Sequence, residues 1–190
     1  MTDPIGIFHD DRARARQAED PMAALCTVAN IDADQQPQLR TLVLREVDGA
    51  LAIFVNATSP KWQALTTGFA MHTYWPSINI QYRFQVQAAH VDPNLVADSW
   101  QLRPDVPKRM DWYYENHAPQ SAPVSSRDDL LTNLKTMNLA EPLQAPENAR
   151  GLIMEPQRIE RLDLNQPDGV HERTLFTLSA TGWQRETLVP

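Results

Sequence analysis

Between residues 80 and 88 the chain alternates Ile80, Tyr82, Phe84, Val86 and Ala88 with Gln81, Arg83, Gln85 and Gln87. A strict period of two puts every apolar side chain on one face of an extended segment, so a half-buried β-strand with a polar outer face is predicted. Such a strand needs neighbours of similar pattern, and they lie on both sides. AALCTVANID, LRTLVLREV and ALAIFVN, separated by the polar DADQQPQ stretch and a DG turn, read as three antiparallel strands. RGLIMEPQRIERLDL, ERTLFTLSA and WQRETLVP, the last preceded by a TG turn, return to strand near the C-terminal end.

Helices are predicted between these groups. SPKWQALTTG opens with Ser59 as N-cap and Pro60 at the first helical position, and Gly68 supplies a stop. Segments 94–102 and 105–115 follow, and SSRDDLLTNLK starts a further helix with Ser126 as its cap. Pro142 and Pro146 mark a loop. Residues 8 to 20, rich in Arg, Asp and Ala, predict an exposed helix, a solvated N-terminal arm over 1–20. With no repeat or linker between these pieces, 1–190 reads as one domain. Its expected class is mainly β with helices (α+β), an antiparallel barrel with helices packed on one end.

The 190 residues carry a net charge of −7, which argues against a general nucleic-acid surface, since that needs a basic stripe. An anionic ligand must find local cations. Cys26 is the only cysteine, so neither an internal disulfide nor a CxxC redox pair can form, no metal site is expected, and a reducing cytoplasm fits. No stretch approaches the roughly 20 apolar residues of a membrane span, and a soluble protein with no membrane partner is expected.

Within RTLVLR, Arg40 and Arg45 stand at opposite ends of what reads as one strand, as edge solubilisers or as ligand clamps. The NATSPK loop adds Asn56, Thr58, Ser59 and Lys61 at the predicted helix start, which suits either an ordinary capping loop or a phosphate. Gln81 and Arg83 can contact a heterocycle or merely solubilise a sheet face. Trp75 reads as packing, and an isolated His171 as a surface residue or a general base. No Ser-His-Asp order, carboxylate pair or glycine-rich nucleotide loop is present.

The ordered set RTLVLR, IFVNATSPK, YWP with IQYRF, QSAPVSSRDDL and GWQRETLVP resembles the pyridoxamine 5'-phosphate oxidase family over about residues 20 to 190. The resemblance implies an FMN-binding split β-barrel and a homodimer, with FMN at the subunit interface held by residues of both chains. It puts Arg40 and Lys61 on the FMN phosphate, with Thr41 and Ser59 in the same motifs, and Leu42, Val43, Phe54 and Val55 along the flavin. Gln81, Gln120, Ser121 and Arg173 match further flavin contacts. On the substrate side it implies Arg45, Trp100, Arg103 and His171.

Several positions depart from the family's pattern. Gly169 stands where the family carries a substrate-facing arginine, Trp100 and Pro107 replace two hydroxyl residues, and Leu162 replaces a tryptophan. Two lost hydrogen bonds to a charged phosphate, each about 1.5 to 3 kcal/mol, weaken binding by roughly two orders of magnitude or more. The implied activity is therefore an FMN-dependent oxidoreductase acting on a small organic molecule, with the flavin doing the chemistry and no protein residue assigned a catalytic role. An authentic pyridoxamine or pyridoxine 5'-phosphate oxidase using dioxygen and a non-catalytic FMN carrier are the alternatives.

Overall fold

The alternating segment forms the strand on which the sheet is built. The computed structural model describes residues 3–190. Its strands are β1 (Leu25–Ile31), β2 (Pro37–Val43), β3 (Arg45–Val47), β4 (Ala50–Asn56), β5 (Phe69–Trp75), β6 (Ile80–His90), β7 (Ala149–Asp163), β8 (Glu172–Ser179) and β9 (Gly182–Leu188). The helices are α1 (Pro4–Gln17), α2 (Trp62–Thr67), α3 (Pro93–Gln101), α4 (Asp105–Asn116) and α5 (Arg127–Thr136). All pairings are antiparallel, in the order β2-β1-β5-β6-β7-β4-β3, with β8 and β9 branching from β7. The branch is possible because β7 is long. One edge of it pairs with β6 along most of its length, while the other takes β4 at Ala149–Ile153 and β8 at Arg158–Asp163. The class is the mainly β one expected.

The inward side chains of β5 and β6 meet the N-terminal helix. Trp75, Tyr82 and Phe84 are buried, and Phe8 sits among them with ring centroids 5.3, 5.0 and 5.1 Å away. Trp75 is thus packing, as expected. The solvated arm is not observed: Phe8, Asp11, Arg12 and Ala15 form a buried stripe at helical spacing. Its two charges are held by partners, as buried charges must be. Asp11 Oδ2 accepts from Tyr82 (2.6 Å) and Arg161 (2.8 Å). Arg12 donates to the carbonyls of Ala23 and Leu44 and to Glu46, at 2.6–2.7 Å. Burial lowers the Arg12 pKa to about 10.

RTLVLREV does not run as one strand. Leu44 leaves the ladder, its N–H donating to Ala24 O at 3.0 Å while its carbonyl accepts from Arg12. β2 therefore pairs with β1, β3 pairs with β4, and Arg40 and Arg45 lie on different strands. The helix start at Ser59 is also corrected. Asn56 Oδ1 accepts from the Thr58 N–H at 2.9 Å and bends the chain into a turn. α2 then begins at Trp62 with Lys61 in the cap position and no side-chain cap, and Gly68 at φ 130° ends it. Ser126 does cap α5, its Oγ accepting from Asp129 N at 3.1 Å.

α3, α4 and α5 cover one end of the sheet through two smaller apolar clusters, one of Val91, Val96, Trp100, Leu143 and Ala149, the other of Tyr113, Leu134 and Met137. No helix is long and apolar enough to cross a membrane among the described residues.

Candidate functional site

β2 alternates exposed Leu39, Thr41 and Val43 with half-buried Gln38, Arg40 and Leu42, so its inner face carries one cation. The turn after β4 delivers Lys61 to the same place. Arg40, Ser59, Lys61 and Ser121 line a cavity of about 360 Å³ with Asn30, Asp32, Gln38 and Pro60. Lys61 Nζ donates to Ser59 Oγ at 2.7 Å and to Gln120 Oε1 at 3.3 Å. Neither Lys61 nor Arg40 forms an ion pair among the described residues, and Arg40 Nη1 is buried without a partner. Asp32, the carboxylate in the cavity, is already occupied by Asp34 N, Gln36 N and Gln38 Nε2, at 2.7–3.0 Å.

The electrostatics follow from that crowding. Burial, and then the Arg40 charge, hold the Lys61 pKa below its ordinary value of 10.5, and burial lowers that of Arg40. Two partly desolvated cations with free donors are costly alone, and an anion of two charges relieves both.

From this cradle a track continues along the sheet. A cavity of about 140 Å³ is bounded by Lys61 and Gln120 at one end, Leu42, Phe54 and Val55 along its side, and Arg103, Met110 and Tyr114 beyond. A third, of about 260 Å³, shares Leu42, Phe54, Val55 and Arg103 and adds Thr41, Val43, Arg45, Val96, Ser99, Trp100, Ala149 and Arg150. The apolar side chains sit mid-track, cations at both ends, which suits a planar ring system with a charged tail.

At the far end Arg45, Trp100 and Arg103, three of the residues predicted on the substrate side, line one cavity. Trp100 is buried, and its indole N–H is taken by Asp111 Oδ2 at 2.8 Å. Arg103 pairs with the same carboxylate oxygen, so part of its charge is neutralised. Asp111 itself is buried and also accepts from Asn56. Among the described residues Arg45 and Arg150 have no carboxylate partner, and Arg150 donates to the carbonyls of Glu147 and Ala149 alone.

Gln81, His171 and Arg173 do not join this track. Gln81 lies opposite Leu162, which lies opposite Arg173, in a row across β6, β7 and β8. Arg173 is held by Glu160 at 3.0 and 3.1 Å, and Arg83 meets the same carboxylate at 2.5 Å. His171 is exposed before β8, near Gly169, where an added side chain would meet open space but the φ of 78° favours glycine. Motif reading missed Asn30, Asp111 and Arg150. For Asn30 the signal was present, an amide at an inward position of β1 after Cys26 and Val28.

Among the described residues, no group of three His, Cys, Asp or Glu side chains is placed to hold a metal. Burial raises the pKa of the Cys26 thiol to about 12, so it is not a nucleophile.

Fold and site together define a split β-barrel protein with two partly buried cations at one end of an apolar track. A pyridoxine/pyridoxamine 5'-phosphate oxidase from Pseudomonas fluorescens strain Pf-5 is 31% identical over 197 residues, covering 99% of this chain and 89% of the relative. One from Chromobacterium violaceum is 31% identical over 196 residues, covering 100% and 90%. The chain belongs to the pyridoxine/pyridoxamine 5'-phosphate oxidase family. No family model matches it. In fold it is similar to PhzG from Burkholderia lata, solved with tetrahydrophenazine-1-carboxylic acid, at TM-score 0.85, 21% identity and coverage of 100% and 94%. A pyridoxamine 5'-phosphate oxidase-related, FMN-binding protein from Nostoc punctiforme gives 0.80, 16% identity and full coverage of both chains.

Proposed function

We propose that this chain is an FMN-dependent oxidoreductase of a small anionic organic substrate, with the FMN phosphate between Arg40 and Lys61. The observation that carries the reading is the unpartnered, buried Nη1 of Arg40 beside a desolvated Lys61 in one cavity. Arginine offers a planar fork and lysine a point charge, a pairing suited to a phosphate dianion. When bound, FMN supplies the transfer of a hydride or electron pair.

The protein's own groups orient and enclose. Leu42, Phe54 and Val55 present apolar surface to the ring system, and Gln120, linked to Lys61, fixes the tail end. Arg45 and Arg150 offer free positive charge to a substrate anion, while Asp111 restrains Trp100 and Arg103 beside it. A carboxylate-bearing ring fits this end, and the relative PhzG was solved with such a molecule.

We also propose a homodimer. Gln81, His171 and Arg173 form a separate surface from the track, and the outer face of β2 exposes Leu39 and Val43 at 72% and 45%. A second copy covering that edge would bury this exposed apolar surface.

The test begins with the visible spectrum of purified protein and chromatography of the chromophore that heat releases. Flavin bands and released FMN support the reading, and a colourless protein that refuses FMN overturns it. Anaerobic mixing of FMN-loaded protein with pyridoxamine 5'-phosphate then separates the branches. Rapid bleaching of the flavin would make B6 vitamers the substrate, against the expectation from Gly169, Pro107 and Trp100. Failure of every reductant, NADH included, would leave a flavin carrier.

A further inference from the structure

We propose that Asn30 is an additional phosphate-contacting residue, whose side-chain amide completes the Arg40–Lys61 cradle as a neutral hydrogen-bond donor. The proposal rests on the FMN reading and extends it to a residue outside every motif that suggested it.

The placement comes from strand register. β1 alternates with Cys26, Val28 and Asn30 buried, and in the β1–β2 pairing Asn30 faces Gln38 while Val28 faces Arg40. Asn30 and Arg40 are thus diagonal neighbours on the inner face, a separation the long Arg40 side chain can span. Asn30 is 8% exposed, and among the described residues neither its Oδ1 nor its Nδ2 has a partner. It lines the same cavity as Arg40 and Lys61.

A valine or leucine at that position would continue the apolar stripe at no polar cost. An amide with both atoms unpaired is a destabilising choice for the cofactor-free chain unless a ligand supplies the partners. Arg40 Nη1 is orphaned in the same cavity, so two buried donors, it and Asn30 Nδ2, lack the same thing, an acceptor. The amide brings two N–H donors, which phosphate oxygens accept. Being neutral, it adds a contact without a third positive charge, which would deepen the repulsion that already helps to depress Lys61.

The experiment compares wild type, Asn30→Leu and Asn30→Asp, each stripped of flavin. FMN and riboflavin, which lacks the phosphate, are titrated by flavin fluorescence, and the melting temperature of the cofactor-free protein is recorded. Asn30→Leu is expected to weaken FMN about tenfold, consistent with one lost hydrogen bond to a charged group. Riboflavin affinity should hold, and the cofactor-free melting temperature should stay level or rise. Asn30→Asp should weaken FMN further through charge repulsion and again spare riboflavin. Unchanged FMN affinity in Asn30→Leu overturns the proposal. So does an equal loss for both flavins with a lower melting temperature, which is what a purely structural amide produces. A wild type that binds riboflavin and FMN equally defeats the phosphate reading at Arg40 and Lys61 as well, which separates the two failures.

Discussion

The indole nitrogen of Trp100 donates to Asp111 Oδ2 at 2.8 Å, and Arg103 pairs with that same oxygen. One buried carboxylate therefore sets both the wall and the charge of that end of the track. Asp111→Asn leaves Arg103 without its counter-charge. Breaking a buried pair costs up to 3–5 kcal/mol, and Arg103 is partly exposed, so about 2 kcal/mol is expected. Thermal denaturation should then show a melting temperature roughly 4–8 °C lower. A change within 1 °C of zero, taken roughly as the noise on that scale, would mean that the carboxylate restrains nothing.

How far the sequence revealed this arrangement depended on whether local pattern and tertiary partner agreed. β6 was legible because Ile80 to Ala88 alternate without interruption, and Gly68 was legible as a stop because its left-handed backbone needs glycine. The break at Leu44 was not, since RTLVLREV is continuous strand chemistry and only Arg12, 32 residues away, removes the Leu44 carbonyl from the ladder. α1 was misread because its buried stripe contains Asp11 and Arg12, which look like a solvent face until Tyr82, Arg161 and Glu46 are in place. The meeting of Arg40 with Lys61 came from family resemblance, for no spacing rule links a strand to a turn across another strand. Asn30 and Asp111 matter through neighbours on other elements, Arg40 on β2 for the one and Trp100 on α3 for the other, which no single-segment pattern connects.

The N-terminal helix should be part of the core in energy as well as in position. Phe8→Ala removes a fully buried ring from an aromatic cluster and should cost about 4 kcal/mol, within the range for large-to-small core changes. Denaturant titration should show a lower midpoint. A midpoint equal to wild type would restore the solvated-arm reading.

Gly68 sits at φ 130°, and an added Cβ would stand 2.9 Å from the Val86 carbonyl oxygen. Gly68→Ala therefore combines backbone strain with a clash against the sheet, and about 2 kcal/mol of destabilisation is expected. Circular dichroism melts of the two proteins check it.

Lys61 gives the site a pH signature. Its pKa is lowered in the folded chain, first by burial and then by Arg40, so between that lowered value and 10.5 the unfolded chain binds more protons. Stability of the cofactor-free protein attributable to Lys61 therefore rises with pH across that window and is flat below it. FMN affinity behaves oppositely there, falling once Lys61 loses its proton. It also falls below about pH 6, where a phosphate monoester takes up its second proton. Fluorescence titrations across pH should show both limbs for FMN and neither for riboflavin.

The most direct test of the account is the affinity of Arg40→Ala for FMN, measured beside wild type with riboflavin as control. Losing one charge-assisted contact of about 1.5–3 kcal/mol predicts roughly 10- to 150-fold weaker FMN binding with riboflavin affinity unchanged. FMN affinity equal to wild type would contradict the phosphate cradle and the function built on it.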